Sequence, residues 1–147
     1  MEKGYKGTVG IVPSKRQLEW QKTEFYGLIS YGMPVFTGKQ YGDGFTPPSM
    51  FWPEEMNTDL WCAVAKAAGM KGLVLTCKHY DGFCLWPSEY TDYSIKYSNW
   101  LDGEGDLVKM LSDSCRKHGL NLDRNLSIVY RTRQCCMDGN YRGQCDL

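Results

Sequence analysis

The sequence predicts an α/β fold built on a parallel sheet with helices outside it, and three observations lead there. Leu73 to Cys77 is a short apolar run that stops abruptly at Lys78-His79-Tyr80-Asp81-Gly82. It is too short for a helix and lacks strict alternation, so it reads as a strand buried on both faces. Strand and helix patterns alternate along the chain, which implies parallel strands joined by crossover helices. The helical patterns end in glycine, at Gly69 and Gly119, where the left-handed backbone of a helix end carries no side-chain penalty. A length of 147 residues suffices for one ordinary domain with a sizeable core.

Ser14 to Glu24 places Leu18 and Trp20 among charges and reads as a short amphipathic entry helix, with Trp20 in the core. Phe25 to Tyr31 is the first strand, ending at Gly32-Met33-Pro34. A long loop follows, punctuated by Gly42-Asp43-Gly44 and Pro47-Pro48. Asn57 or Thr58 caps a helix that runs to Ala68, with Leu60, Val64 and Ala67 on one apolar face widened by Trp61, Ala65 and Ala68. The strand Leu73 to Cys77 comes next, and then a second long loop containing Trp86 and Trp100. Asp106 caps another helix, lined by Leu107, Met110, Leu111 and Cys115. It closes at Lys117-His118-Gly119, where cations favour the helix C-terminus, a structural role for His118. Asn125 to Tyr130 is a candidate third strand. The segment from Arg131 to Cys145 has no apolar periodicity and reads as poorly packed. The expected division is therefore a structured unit over 1–122 and a divergent tail over 123–147.

In sheets of parallel strands, ligands bind at the carboxyl ends of the strands, where loops vary above a rigid core. His79, Tyr80 and Asp81 sit at that position, so this cluster is the first candidate site. Charges balance at 17 basic against 17 acidic residues, which gives no electrostatic case for nucleic acid or an anionic membrane. Five tryptophans and ten tyrosines suit a large-residue core and also suit a cleft that meets sugar rings. None of the seven cysteines forms a CxxC pair, which argues against a zinc site. Cys62, Cys77, Cys84 and Cys115 fall in apolar segments, where a free thiol behaves as a small hydrophobe. The first residues show no apolar stretch of signal-peptide length, and no segment suits a membrane span, so the expected setting is cytoplasmic.

Several linked motifs carry a resemblance. They are Pro13 to Tyr26, Ile29-Ser-Tyr-Gly-Met33, Tyr41-Gly-Asp-Gly44, Ala65 to Gly72, Lys78-His-Tyr-Asp-Gly-Phe-Cys-Leu-Trp-Pro-Ser88 and Cys115-Arg-Lys-His-Gly119. Between about Val12 and Leu120 they resemble, in register, the N-terminal part of the α-L-fucosidases of glycoside hydrolase family 29; the tail after Leu122 does not. The resemblance implies an incomplete (β/α) TIM-type barrel, of which this chain holds the N-terminal βα units only. It also implies a retaining glycoside hydrolase that removes α-linked L-fucose from glycans through an Asp nucleophile and a Glu acid/base, and no cofactor. Retention needs two carboxyl groups close enough for one to attack the anomeric carbon while the other protonates the leaving oxygen. The family places both downstream of the matched segment, so no catalytic residue is assigned in this chain.

The substrate-binding positions carry over with changes. The family's first-strand histidine falls at Tyr31, its Glu-Trp pair at Gln40-Tyr41, and its His-His pair at His79-Tyr80. Imidazole both donates and accepts toward adjacent hydroxyls, and a carboxylate accepts two at once; glutamine and tyrosine keep part of that capacity in another pattern. A buried hydroxyl left without its partner costs about 1–3 kcal/mol. Asp43 and Asp81 also match family positions, but Asp-Gly beside a strand end is ordinary turn chemistry. A chain that leaves strand edges uncovered invites self-association through those edges. Sugar binding without catalysis and a fragment without function are the competing readings. Family members are often lysosomal or exported.

Overall fold

Local sequence sets the element ends. The computed structural model describes residues 12–42 and 44–126. Helix α1 (Lys15–Gln21) starts at a capping box: the Gln17 amide donates to Ser14 Oγ at 3.3 Å and the Ser14 amide donates to Gln17 Oε1 at 2.7 Å. None of its residues is buried. Trp20 lies beside Tyr26 with ring centroids 4.8 Å apart, outside the main core, which corrects the expectation for this side chain. Among the described residues the apolar stripe of α1 stays largely uncovered, with Leu18 43% exposed.

Strand β1 (Tyr26–Ile29) leads to a short helix, α2 (Met33–Thr37), where the sequence pattern suggested only loop. Pro34 explains it, because proline is preorganised for the first helical turn and loses no needed amide there. Helix α3 (Thr58–Ala67) begins at Asn57, whose side chain accepts from the Leu60 amide at 2.9 Å. Strand β2 (Gly72–Lys78) follows, then a long loop, then helix α4 (Leu107–His118) capped by Asp106, with Gly119 in the left-handed region at φ 64°.

Strand β3 (Asn121–Leu126) starts four residues before the expected third strand and runs across the 122–123 boundary. Ser127 to Tyr130, the rest of the expected strand, lie outside the described residues, as do Cys135, Cys136 and Cys145. Asn121, Asp123 and Arg124 give β3 a polar reading. Backbone pairing to β2 decides its place, with Gly72 opposite Asn121 and Leu75 opposite Arg124.

The three strands form a parallel sheet in the order β1-β2-β3, as the alternating pattern predicts. The central strand is buried along most of its length. Leu73, Leu75 and Cys77 share one face by the two-residue period and join the core with Cys62, Ala65, Leu107, Leu111 and Cys115 of the helices. On α4 the expected Leu107, Leu111 and Cys115 are buried together with Ser114, and Met110 is partly buried against the core. The stripe on α3 departs from expectation. Thr58, Cys62 and Ala65 are its buried residues, while Leu60 and Val64 are 57% and 61% exposed. Among the described residues α3 packs against α4 and sends Trp61 toward Tyr31, while Leu60 and Val64 stay in solvent.

Candidate functional site

The loop after β2 is held in place before any side chain can act. At its start the Gly82 amide donates to the His79 carbonyl at 3.0 Å, and the Phe83 amide donates to Asp81 Oδ1 at 3.1 Å. Asp81 therefore shapes the turn, the ordinary role expected from its sequence. Further on, the Leu85 amide donates to the Cys77 carbonyl and the Leu107 amide to the Leu85 carbonyl, both within 3.1 Å. Phe83, Leu85, Tyr93 and Ile95 sink into the core below. His79 thus stands at the carboxyl end of a buried strand on a rigid base.

A strap from the loop after β1 crosses above it. Gly42 lies so close to Asp81 that a Cβ there would come within 2.5 Å of the Asp81 Cβ. That approach needs glycine, and it brings Tyr41 over His79. Their rings are near-parallel, 17° apart with centroids at 6.4 Å. Tyr80 stands edge-on to both, at 5.6 Å from Tyr41 and 5.0 Å from His79. Tyr41 and Tyr80 are each about half exposed, at 58% and 50%. His79 Nδ1 is shielded from solvent and has no hydrogen-bond partner among the described residues. The result is an open aromatic cluster with two phenols and an imidazole, suited to meeting a ring that carries hydroxyl groups.

The sequence-derived positions separate into two groups. Tyr41, His79 and Tyr80 come together, and Gln40 is an exposed neighbour of Tyr41 in the strap. Tyr31 points its ring elsewhere. It packs against Phe36, Phe51 and Trp61 at 6.1, 6.2 and 5.9 Å, and burial raises its phenol pKa above the usual value. Among the described rings, Tyr31 joins the hydrophobic cluster rather than the one around His79. Asp43 lies outside the described residues. The loop tryptophans also divide: Trp100 is buried against Phe51 at 5.6 Å, an anchor, whereas Trp52 is 54% exposed. Sequence reasoning missed Gly42 as the residue that lets the strap approach; its signal was the Gly-Asp-Gly turn itself, which names flexibility without naming the neighbour.

Carboxylates elsewhere are occupied on the outer helices. Hydrogen bonds from Lys117 and Ser114 hold Asp59 below the usual carboxylate value, and Lys109 and Arg116 do the same for Asp113. His118 Nε2 lies 3.5 Å from Asp59 Oδ1 at the end of α4, in keeping with a structural role. Asp81 is committed to its turn.

Known proteins share the sequence pattern and the fold of this chain. The family model for α-L-fucosidase matches residues 8–144, well past Leu122, which corrects the expectation that the tail falls outside the family. The chain is 43% identical over 124 residues to Alpha-L-fucosidase 1 of Arabidopsis thaliana, covering 84% of this chain and 24% of that protein. A glycoside hydrolase 29 family member from a rumen bacterium superposes with a TM-score of 0.74 at 43% identity, over 78% of this chain and 21% of that one. A Ruminococcus gnavus GH29 fucosidase in complex with fucose gives a TM-score of 0.71 at 31% identity, over 80% and 25%. The chain spans about a quarter of the length of such relatives. Motifs, parallel topology and these likenesses agree: the chain belongs to the α-L-fucosidase family.

Proposed function

We propose that this chain is the N-terminal, sugar-facing part of a retaining α-L-fucosidase barrel that hydrolyses α-linked L-fucose in glycans. The observation that carries the reading is the convergence of Tyr41, His79 and Tyr80 at the carboxyl end of β2. His79 is the retained imidazole, Tyr80 stands where the family pattern has a second histidine, and Tyr41 stands where it has a tryptophan. Bond cleavage needs a nucleophile and an acid/base in addition, which family resemblance puts on strands beyond β3. The three-stranded sheet fits the first βα units of such a barrel.

Two measurements test this. The isolated chain should release no nitrophenol from an aryl α-L-fucoside, because no other group opens a glycosidic bond at neutral pH. Saturable hydrolysis that disappears in His79→Ala would overturn the assignment of the missing carboxylates. Millimolar L-fucose should shift the His79 ring resonances more than D-galactose does. Equal shifts from both sugars would overturn a fucose pocket. Sugar binding without hydrolysis is the second reading, favoured by the same open rings. A fucose-selective shift in a longer chain that contains the downstream strands yet hydrolyses nothing would select it.

A further inference from the structure

Two thiols lie face to face where the proposed activity has no use for them. Cys62 of α3 and Cys115 of α4 are 0% and 1% exposed, and their Sγ atoms are 3.7 Å apart. Polar contacts hold the helices in register on both sides of the pair. Thr58 Oγ1 and Ser114 Oγ are 2.8 Å apart, and Lys66 Nζ donates to the Gly119 carbonyl at 3.5 Å. Asp59 adds an ion pair to Lys117. The sulfurs therefore meet because the interface places them together. A disulfide bond is about 2.05 Å long, so the two side chains need to close by about 1.7 Å between them.

We propose that Cys62 and Cys115 form an intramolecular disulfide that joins α3 to α4 when the chain folds with a small-molecule disulfide such as glutathione disulfide as oxidant. One cysteine loses its proton and its sulfur attacks the glutathione disulfide, which forms a mixed disulfide and releases one glutathione thiolate. The second cysteine, deprotonated in turn, attacks the protein sulfur of that mixed disulfide and expels the second glutathione. Two protein sulfurs are oxidised by two electrons in all, and one glutathione disulfide becomes two glutathione molecules.

Burial sets the timing. It raises the Cys62 thiol above its usual value and pushes Cys115 up to about 12, so little thiolate forms once the helices have closed. Exchange belongs to the folding chain or to a local opening. The finished bond then sits where reductant has no ready access.

The test uses the full chain refolded in a glutathione redox buffer, alkylated in denaturant and mapped by mass spectrometry without reduction. The expected result is one peptide pair linking Cys62 to Cys115, two hydrogens lighter than the separate thiol peptides. The urea midpoint of the folded product should fall on addition of dithiothreitol, and Cys62→Ala should remove both the linked pair and that response. Should Cys62→Ala fail to fold, the wild-type peptide map alone decides. Alkylated Cys62 and Cys115 in the recovered protein would overturn the proposal, as would linkage of either one to a third cysteine.

Discussion

The loops that follow β1 and β2 are both long, yet they do opposite work. The loop after β2 builds core: Phe83, Leu85, Tyr93, Ile95 and Trp100 are all at most 5% exposed, and backbone bonds tie it to the strand below. The loop after β1 enters the core at Phe51 and otherwise lies open over residues 38–41. One supplies a rigid base for His79. The other lays Tyr41 across it, helped by the close approach of Gly42 to Asp81. Loop length therefore says little about order; what matters is how many apolar side chains a loop sends inward.

Phe51 is where the comparison breaks most severely. It is 0% exposed and its ring meets Tyr31, Phe36, Phe83 and Trp100, so it joins both loops. Phe51→Ala should cost about 3–5 kcal/mol in urea denaturation. A loss under about 1 kcal/mol would mean the loops are not coupled there.

Alkaline pH probes the base under the β2 loop. Burial raises Cys77 to about 11 and Cys115 to about 12, from a usual value of 9.0. Folding favours the neutral thiol, so this contribution is fully present below pH 9 and is lost as pH rises through the folded values. Each reduced thiol should remove up to about 1.4 kcal/mol per pH unit above 9. Urea midpoints taken in dithiothreitol at pH 8 and pH 10.5 check it, and Cys77→Ala should flatten the slope.

Gly42→Ala sharpens the contrast at the strap. The new Cβ meets Asp81, so overpacking of about 1–3 kcal/mol is expected, together with displacement of Tyr41 from His79. The His79 ring resonances should lose their ring-current shift from Tyr41, and unchanged resonances would show that the strap does not depend on this contact. Leu28→Lys marks the other end of the scale. Leu28 is 63% exposed on the edge strand β1, so stability should change by no more than about 0.5 kcal/mol. Light scattering should report weaker self-association, because a charge on a sheet edge opposes edge pairing.

Local chemistry in the sequence set the alternation of β1, α3, β2 and α4, the caps at Asn57 and Asp106, the stop at Gly119 and the buried character of β2, but not α2. Each rests on local chemistry: a side-chain oxygen for orphan amides, a left-handed glycine, an apolar run too short for a helix. His79 and Tyr80 were legible at a strand end from the apolar run that precedes them, and Tyr41 joined them only through the family resemblance. Packing between elements settled the rest. It chose which face of α3 is buried, leaving Leu60 and Val64 outside, since a helix face is buried only where a partner exists. It paired a polar β3 with β2 through backbone bonds that side-chain pattern does not encode. Tyr31 turned into the aromatic core while Tyr41 reached His79, and Cys62 met Cys115 across 53 residues of sequence. Those meetings depend on the distance between packed elements, a quantity that no local run of residues contains.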